Sequence, residues 1–405
     1  MSAGSEVGRP PVDGLPVTGE LGLGRGARLA LRKAGQGTWP VVGGLVGVCV
    51  VFQLLNDRFL TPQNLYFLTL QNAPAAVIAI GIVLVLLVGE IDLSAGYVSG
   101  VAGAALGVLT VRDGLPDWAG IVGAVALGAA IGTLHGGIVA SLRVPSFVVT
   151  LAGLIGWMGL QLWLLGDDGT INFPYDGFIG RITHTDLSRP LGWSLGAFVV
   201  VVYAGSVLSD RRRRRAAGLD VAPSSTVALR IGGLTVGVLG PVAVLDAYQG
   251  VPVALVLVVG LAAGLDLLLR RTRFGRGLIA VGGNTETARR AGIRVTRVRV
   301  AAFALCSTLA AIGGILAASR SYAVGQSSGG LDVLLMAVAA AVIGGTSLFG
   351  GRGRTYSALL GMLVLGAIQS GMLLLQLGTE ARYMITAVVL LGAVALDSIA
   401  RRAAY

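Results

Sequence analysis

Charged residues are scarce in this 405-residue chain. Asp, Glu, Lys and Arg together make up 13% of it against 54% hydrophobic residues, and the mean hydropathy is +0.81. A soluble globule of this size needs more polar surface, so the composition excludes a water-soluble enzyme and places the chain in a bilayer. Lysine is almost missing. The single Lys33 precedes Ala-Gly, so no GxxxxGK[ST] phosphate loop can be written, and ATP, if it drives this protein, binds to another subunit. Histidine is limited to His135 and His184, neither with a second ligand at zinc spacing, which removes metalloenzyme readings. His135 reads as a packed or hydrogen-bonded helix residue. Two cysteines, Cys49 and Cys306, fall inside apolar runs and imply no disulfide framework. Residues 1–38 are rich in Gly, Pro and Arg without an apolar core, so they read as a disordered cytoplasmic tail and not as a signal peptide. No cofactor is implied.

Continuous apolar runs are abundant. A bilayer core about 30 Å thick needs roughly 20 such residues per helix, and twelve stretches approach that length. They are 39–55, 73–89, 93–110, 118–141, 146–165, 192–208, 227–245, 252–269, 298–319, 333–349, 355–376 and 382–398. The runs do not alternate, which excludes barrel strands and predicts an all-α, polytopic membrane bundle of about twelve transmembrane helices over residues 39–405. The piece 59–72, interrupted by Pro62, reads as interfacial or re-entrant. Starting inside, the alternation leaves only six of the 31 cations outside (Arg58, Arg112, Arg181, Arg189, Arg320 and Arg382), so both termini are expected in the cytoplasm of a plasma or inner membrane protein. The basic clusters, Arg211 to Arg215 in an insert at 209–226 among them, each abut a span. Anchoring against anionic lipid explains them without nucleic acid.

Several short motifs fail on context. Gly192–Gly196 and Gly325–Gly329 fit GxSxG but lack the strand that a nucleophile elbow requires. Gly275 to Ala280 fits GxGxxA but follows a membrane span and not a strand. Two polar interruptions carry more. In "GEIDLSAG", Glu90 and Asp92 stand between apolar spans with Ser94 and Gly96 following, and carboxylates there must face protein or water. Two readings are open: Asp92 or Ser94 caps the next helix, or the broken segment lines a path. A similar block, with Gly344, Gly345, Ser347 and Gly350, recurs near the far end and suggests a second break and a related half. The second interruption is "GRGLIAVGGNTETARRAGI", inside a polar segment at 270–297. There Asn284 suits an N-cap, Glu286 and Arg289 suit opposite helix ends, and Gly292 suits a left-handed close, giving a helix of about two turns or a well-capped solvated loop. The loop 166–191, with its acids, aromatics and Pro, reads equally as a docking surface or as an irregular connection.

That second interruption resembles the cytoplasmic coupling segment of the permeases of binding-protein-dependent sugar ABC importers, the ribose and xylose group. "TPQNL" (61–65), "GEIDLSAG" (89–96), "VPSFVVTLAG" (144–153) and "VIGGTSLFGGRG" (342–353) resemble the same group in the same order, over nearly everything after residue 40. Glu90, the basic insert and "ALDSIARR" (395–402) resemble the xylose branch, while His135, Leu334 and Met336 depart from the group's pattern. The resemblance implies a non-enzymatic permease domain for D-xylose or a related sugar. It implies an ABC ATPase subunit docked on Gly275, Gly277, Gly282, Gly283, Asn284, Glu286, Ala288, Arg289 and Gly292, a sugar-binding protein outside, and a second permease copy. Glu90, Asp92, Ser94, Gly96, Gly344, Gly345, Ser347 and Gly350 are then expected along the translocation path or its gate. A stand-alone secondary sugar transporter is the alternative.

Overall fold

Apolar runs this long satisfy their backbone polar groups only by coiling, and the chain is helical almost throughout. In the computed structural model the structure describes residues 39–402, and the tail assigned to 1–38 lies outside them. In chain order the helices are α1 (Trp39–Leu55), α2 (Pro62–Leu87), α3 (Ala95–Gly107, prolonged by a wider turn at Val108–Arg112), α4 (Asp117–Leu142), α5 (Ser146–Leu165), α6 (Phe178–His184), α7 (Arg189–Ala216), α8 (Ser224–Asp246), α9 (Val253–Arg271), α10 (Arg273–Gly283), α11 (Thr285–Arg290), α12 (Val295–Ser321), α13 (Gly330–Ile343), α14 (Thr355–Leu374) and α15 (Thr379–Arg402). Among the described residues nine helices are long and apolar enough to cross a membrane, and two shorter apolar ones, Val41–Leu55 and Gly330–Ile343, accompany them. Together with α15 they match the twelve expected stretches one for one.

The piece 59–72 is not re-entrant. Pro62 opens α2 at its first turn, where a missing N–H costs nothing, and the Thr61 side chain caps the helix by accepting from the Asn64 amide. The result is one 26-residue helix, apolar on every side and buried almost everywhere from Leu68 to Leu87, with α12, α14, α13 and α9 packed around it. The basic insert continues α7 to Ala216, and the chain turns at Gly218 (φ +69°) before α8 begins after Pro223.

Small residues let the other helices close on this core. Helices α4 and α12 run antiparallel. Gly132 lies against the Phe303 carbonyl, and a Cβ on Gly136 would stand 2.7 Å from the Val300 Cα. Four short strands pair antiparallel, β1 (Thr170–Asn172) with β4 (Ala323–Gly325) and β2 (Asp186–Leu187) with β3 (Val251–Pro252). They tie down the 166–191 loop together with α6. Arg112 donates to the Leu164 and Leu165 carbonyls and pairs with Asp168, and Tyr66 donates to Asp186. The six arginines assigned to the outer face fall at this end of the bundle, while Arg211 to Arg215, Arg270 to Arg276 and Arg289 to Arg299 fall at the other.

Neighbouring glycines on α4 give a matched test. Gly132→Val drives a branched side chain into the Phe303 backbone and should lower stability by about 1–3 kcal/mol, the range for overpacking. Gly137→Ala meets nothing within 4 Å and should be neutral. Thermal unfolding of the two variants in detergent measures the difference.

Candidate functional site

The first break starts with a helix end. Gly89 (φ +80°) lets α2 close with its own amide on the Leu86 carbonyl (2.9 Å) and the Glu90 amide on the Val85 carbonyl (3.2 Å). The chain then runs extended back along the bundle to Ser94. Ser146 Oγ accepts from the Ile91 amide (3.2 Å), Thr150 Oγ1 donates to the Ile91 carbonyl (3.3 Å), and Glu90 pairs with Arg299 at 3.0 Å. Helix α3 begins at Ala95, and one turn further on the Ser99 backbone meets Gly314, past the middle of α12, so it is a half-helix starting deep in the apolar bundle.

A second half-helix starts at the same depth. Gly96 lies against the Gly330 carbonyl at the first turn of α13, and Gly329 (φ +74°) lies against the Gly96 carbonyl. From this junction α3 leads to the arginine-poor end and α13 to the arginine-rich one. Two helix N-termini, each the positive end of a dipole, thus face each other inside the core. Gln161, 1% exposed, holds the junction by donating to the Gly325 (3.0 Å) and Ser328 (2.9 Å) carbonyls. Leu334 is buried against Gly96 here.

Asp92 (2% exposed), Ser94 (0%) and His135 (3%) form a buried polar line beside it. The Trp157 indole can only donate, and its Nε1 lies 3.1 Å from His135 Nε2, so Nε2 is the acceptor and Nδ1 carries the proton. His135 Nδ1 then donates to Ser94 Oγ (3.3 Å), and Ser94 Oγ donates to Asp92 Oδ1 (2.6 Å), which also accepts from the Ser94 amide (2.8 Å). Ser94 makes no side-chain cap of its own; Asp92, two residues upstream, supplies the acceptor. Asp92 Oδ2 has no hydrogen-bond partner among the described residues, and the buried Cys306 thiol lies beside the carboxylate.

The glycine block near the far end does different work. Helix α13 closes on Gly345 (φ +93°), whose amide donates to the Val342 carbonyl (2.8 Å) while that of Thr346 donates to Ala341 (3.0 Å). This is the cap that ends α2, so the likeness of the two blocks is one of capping chemistry, shifted by one residue. Gly344 lies against the Ser357 carbonyl, and Ser347 Oγ accepts from the Phe349 amide. The second half-helix start at Gly329–Gly330 went unread in the sequence. Strand β4 does precede Gly325–Gly329, contrary to the expectation, but no hydrogen bond among the described residues joins Ser327 to a histidine or carboxylate.

The two blocks meet at the arginine-rich end, with the polar segment between them. Gly350 lies 3.0 Å from Gly89 in the sense that a Cβ there would touch the Gly89 backbone, and the Gly351 amide donates to the Leu87 carbonyl (2.9 Å). Gly282 lies against that same carbonyl and Gly283 against Gly351. Three backbones are clamped with no side chain between them. The segment itself is two helices where one was expected. Helix α10 buries Gly275, Gly277, Leu278 and Val281, and Thr272 caps it. Helix α11 is capped by Asn284, whose Oδ1 accepts from the Thr287 amide (2.9 Å), and it buries only Ala288. It closes at Gly292 (φ +80°), and Glu286, Arg289 and Arg290 stay exposed, paired at 3.1 and 3.3 Å.

Half-helices that meet inside an apolar bundle, with irregular backbone only where protein covers it, define a polytopic membrane transporter. The chain belongs to the branched-chain amino acid transport system / permease component family, whose model matches residues 64–394. It is 33% identical over 373 residues to the xylose transport system permease protein of Escherichia coli K12, covering 92% of this chain and 94% of that one. The Haemophilus influenzae xylose permease is 34% identical (87% and 95% covered), and the ribose import permease of Escherichia coli K12 is 30% identical (87% and 91% covered). No solved structure matches the chain.

Of the site, sequence reading missed Trp157, Gln161, Arg299 and α10. Gln161 carried a signal, as a lone amide in the apolar run of α5. The relay predicts that His135→Leu, which strands the Trp157 donor and leaves Ser94 facing an apolar group, costs about 1–3 kcal/mol. His135→Asn, which can both accept from the indole and donate to Ser94, should recover most of it. Unfolding midpoints in detergent decide.

Proposed function

We propose that this chain is the transmembrane permease subunit of an ABC-type monosaccharide importer, for D-xylose or a related sugar, and that it forms the translocation path and leaves ATP hydrolysis to a partner. The observation that carries the reading is the glycine clamp: exposed α11 hangs from α10, and α10 touches both Leu87, the end of α2, and Gly351, in the loop that follows α13, the two helices that lead to the half-helix junction. An ATPase subunit docked on α11 thereby reaches the path through backbone alone. The family description names amino acid transport, but the relatives covering most of the chain are named for xylose and ribose.

In this reading the arginine-rich end is cytoplasmic, in accord with the positive-inside bias, and both termini lie there. The first 38 residues are then the cytoplasmic tail, and 209–226 and 270–297 are cytoplasmic elements of the permease domain. A sugar-binding protein delivers its ligand to the other end, where the 166–191 loop is held by strands and by α6 with Tyr175 and Phe178 exposed. A second copy of the chain completes the transporter in the membrane lipid. ATP binding and hydrolysis shift the pair between outward- and inward-open states because α11 contacts the ATPase differently in each. Glu90, Asp92, Ser94 and Gly96 then act at the gate on one side, and Gly344, Gly345, Ser347 and Gly350 couple the gate to the clamp.

The test uses proteoliposomes that contain the chain, its candidate ATPase and its binding protein. Exposed ion pairs contribute little to folding, so Glu286→Arg and Arg289→Glu should assemble normally. Xylose-loaded binding protein should stimulate wild-type hydrolysis, and each substitution should cut that stimulation at least tenfold. Sugar flux without any ATPase, indifferent to both substitutions, would make the chain a secondary transporter.

A further inference from the structure

At the arginine-poor end, remote from the clamp and the junction, a cavity of about 440 Å³ opens between α2, the end of α6, the turn before β3 and the end of α12. Its size falls in the roughly 300–1,000 Å³ range of small-molecule sites. Tyr66 and Leu70, both buried, form its floor, and the exposed ring of Phe67 forms one wall. Around it stand Gln71, Gln249, His184 and Arg320.

The scaffold behind these groups is fixed, and His184 belongs to it, while the side chains of Gln71, Gln249 and Arg320 are not engaged. The Tyr66 hydroxyl donates to both Asp186 oxygens (2.9 and 3.1 Å), and Tyr248 packs edge-on against Tyr66. His184 stacks flat on Tyr322 (4.4 Å between centroids) with Nε2 3.2 Å from the Arg320 carbonyl. Among the described residues neither glutamine side chain makes a hydrogen bond and the Arg320 guanidinium makes no ion pair. Two amides offer donors and acceptors, the guanidinium offers a fork of donors, and Phe67 offers an apolar face. A compact polyol, whose every hydroxyl both donates and accepts, fits that set. Among the described residues no acidic side chain lines the cavity, and Asp186 behind it is taken up by the Tyr66 hydroxyl, so the ammonium of an amino acid lacks a free carboxylate here.

We infer that this cavity is a receiving site for one monosaccharide, in which Gln71, Gln249 and Arg320 take the hydroxyls and Phe67 the ring face. The inference deepens the proposed function and rests on it. Sugar released by a binding protein is held here at the permease's own mouth before the path opens.

The probe is whichever of D-xylose and D-ribose the assembled importer takes up. Since Cys306 is buried, a His184→Cys variant in a Cys49→Ser background presents one accessible thiol on the cavity lining and keeps the three polar groups assigned to the sugar. Reaction with a membrane-impermeant maleimide should slow at least threefold when that sugar is added to the permease alone in liposomes, and L-isoleucine should have no effect. Gln71→Leu combined with Gln249→Leu should cut import at least tenfold while binding-protein docking and unstimulated ATP hydrolysis stay unchanged. Labelling that no sugar slows, or that only the empty binding protein blocks, overturns the inference, as does equal protection by L-isoleucine. An importer that works at wild-type rate with both glutamines replaced overturns it too and leaves the proposed function standing. Failure of the wild-type assembly to take up either sugar removes the function reading itself.

Discussion

Irregular backbone inside an apolar bundle is the constraint on which everything else here depends. An amide or carbonyl without a partner in hydrocarbon costs several kcal/mol, so every stretch that leaves the helical path must be met by protein. The stretch from Gly89 to Ser94 is met by Ser146 and Thr150 of α5 and by the carboxylate of Asp92; the turn before α13 is met by Gln161. Once those partners are fixed, the depth at which α3 and α13 begin is fixed as well. The burial of α2 follows, because the helix that neighbours both breaks must be covered on all sides to keep lipid out.

Hydrogen-bond direction adds a second layer. A donor-only indole at one end and an acceptor-only carboxylate at the other leave the His135 and Ser94 protons a single arrangement. Buried networks of this kind, fully satisfied, select one packing among several of similar apolar energy. The unpaired Asp92 oxygen is the exception at the end of the line, next to Cys306.

Much of this was legible in the residues. Uninterrupted apolar runs gave the helices, and the Asn284, Glu286 and Gly292 triad marked the ends of α11 because caps are written locally, but it left a capped loop equally open, since the burial of Ala288 that holds the helix down is not local. Pro62 was misread since the same residue breaks a helix from inside and starts one at its first turn; only the Thr61 cap distinguishes the cases. The junction was half legible. Glu90 and Asp92 announce a break by their charge, whereas Gly329 and Gly330 sit in a run of serine and glycine that carries no such contrast. Helix α10 was hidden by its glycines, which read as a loop until Gly275 and Gly282 are seen pressed against neighbouring backbone. Trp157 and His135 are 22 residues apart on different helices, a distance that no local pattern reports.

The clamp at Gly282, Gly351 and Leu87 is made without side chains, and this gives it an uncommon mechanical character. Contacts between long side chains have slack, because rotamers absorb a small displacement before the neighbour feels it. Peptide planes have no rotamers. A shift of α10 along its axis meets the Leu87 carbonyl at once, and the Gly351 amide bonded to that carbonyl must follow or let go. The linkage has no backlash, and it holds or releases as one piece.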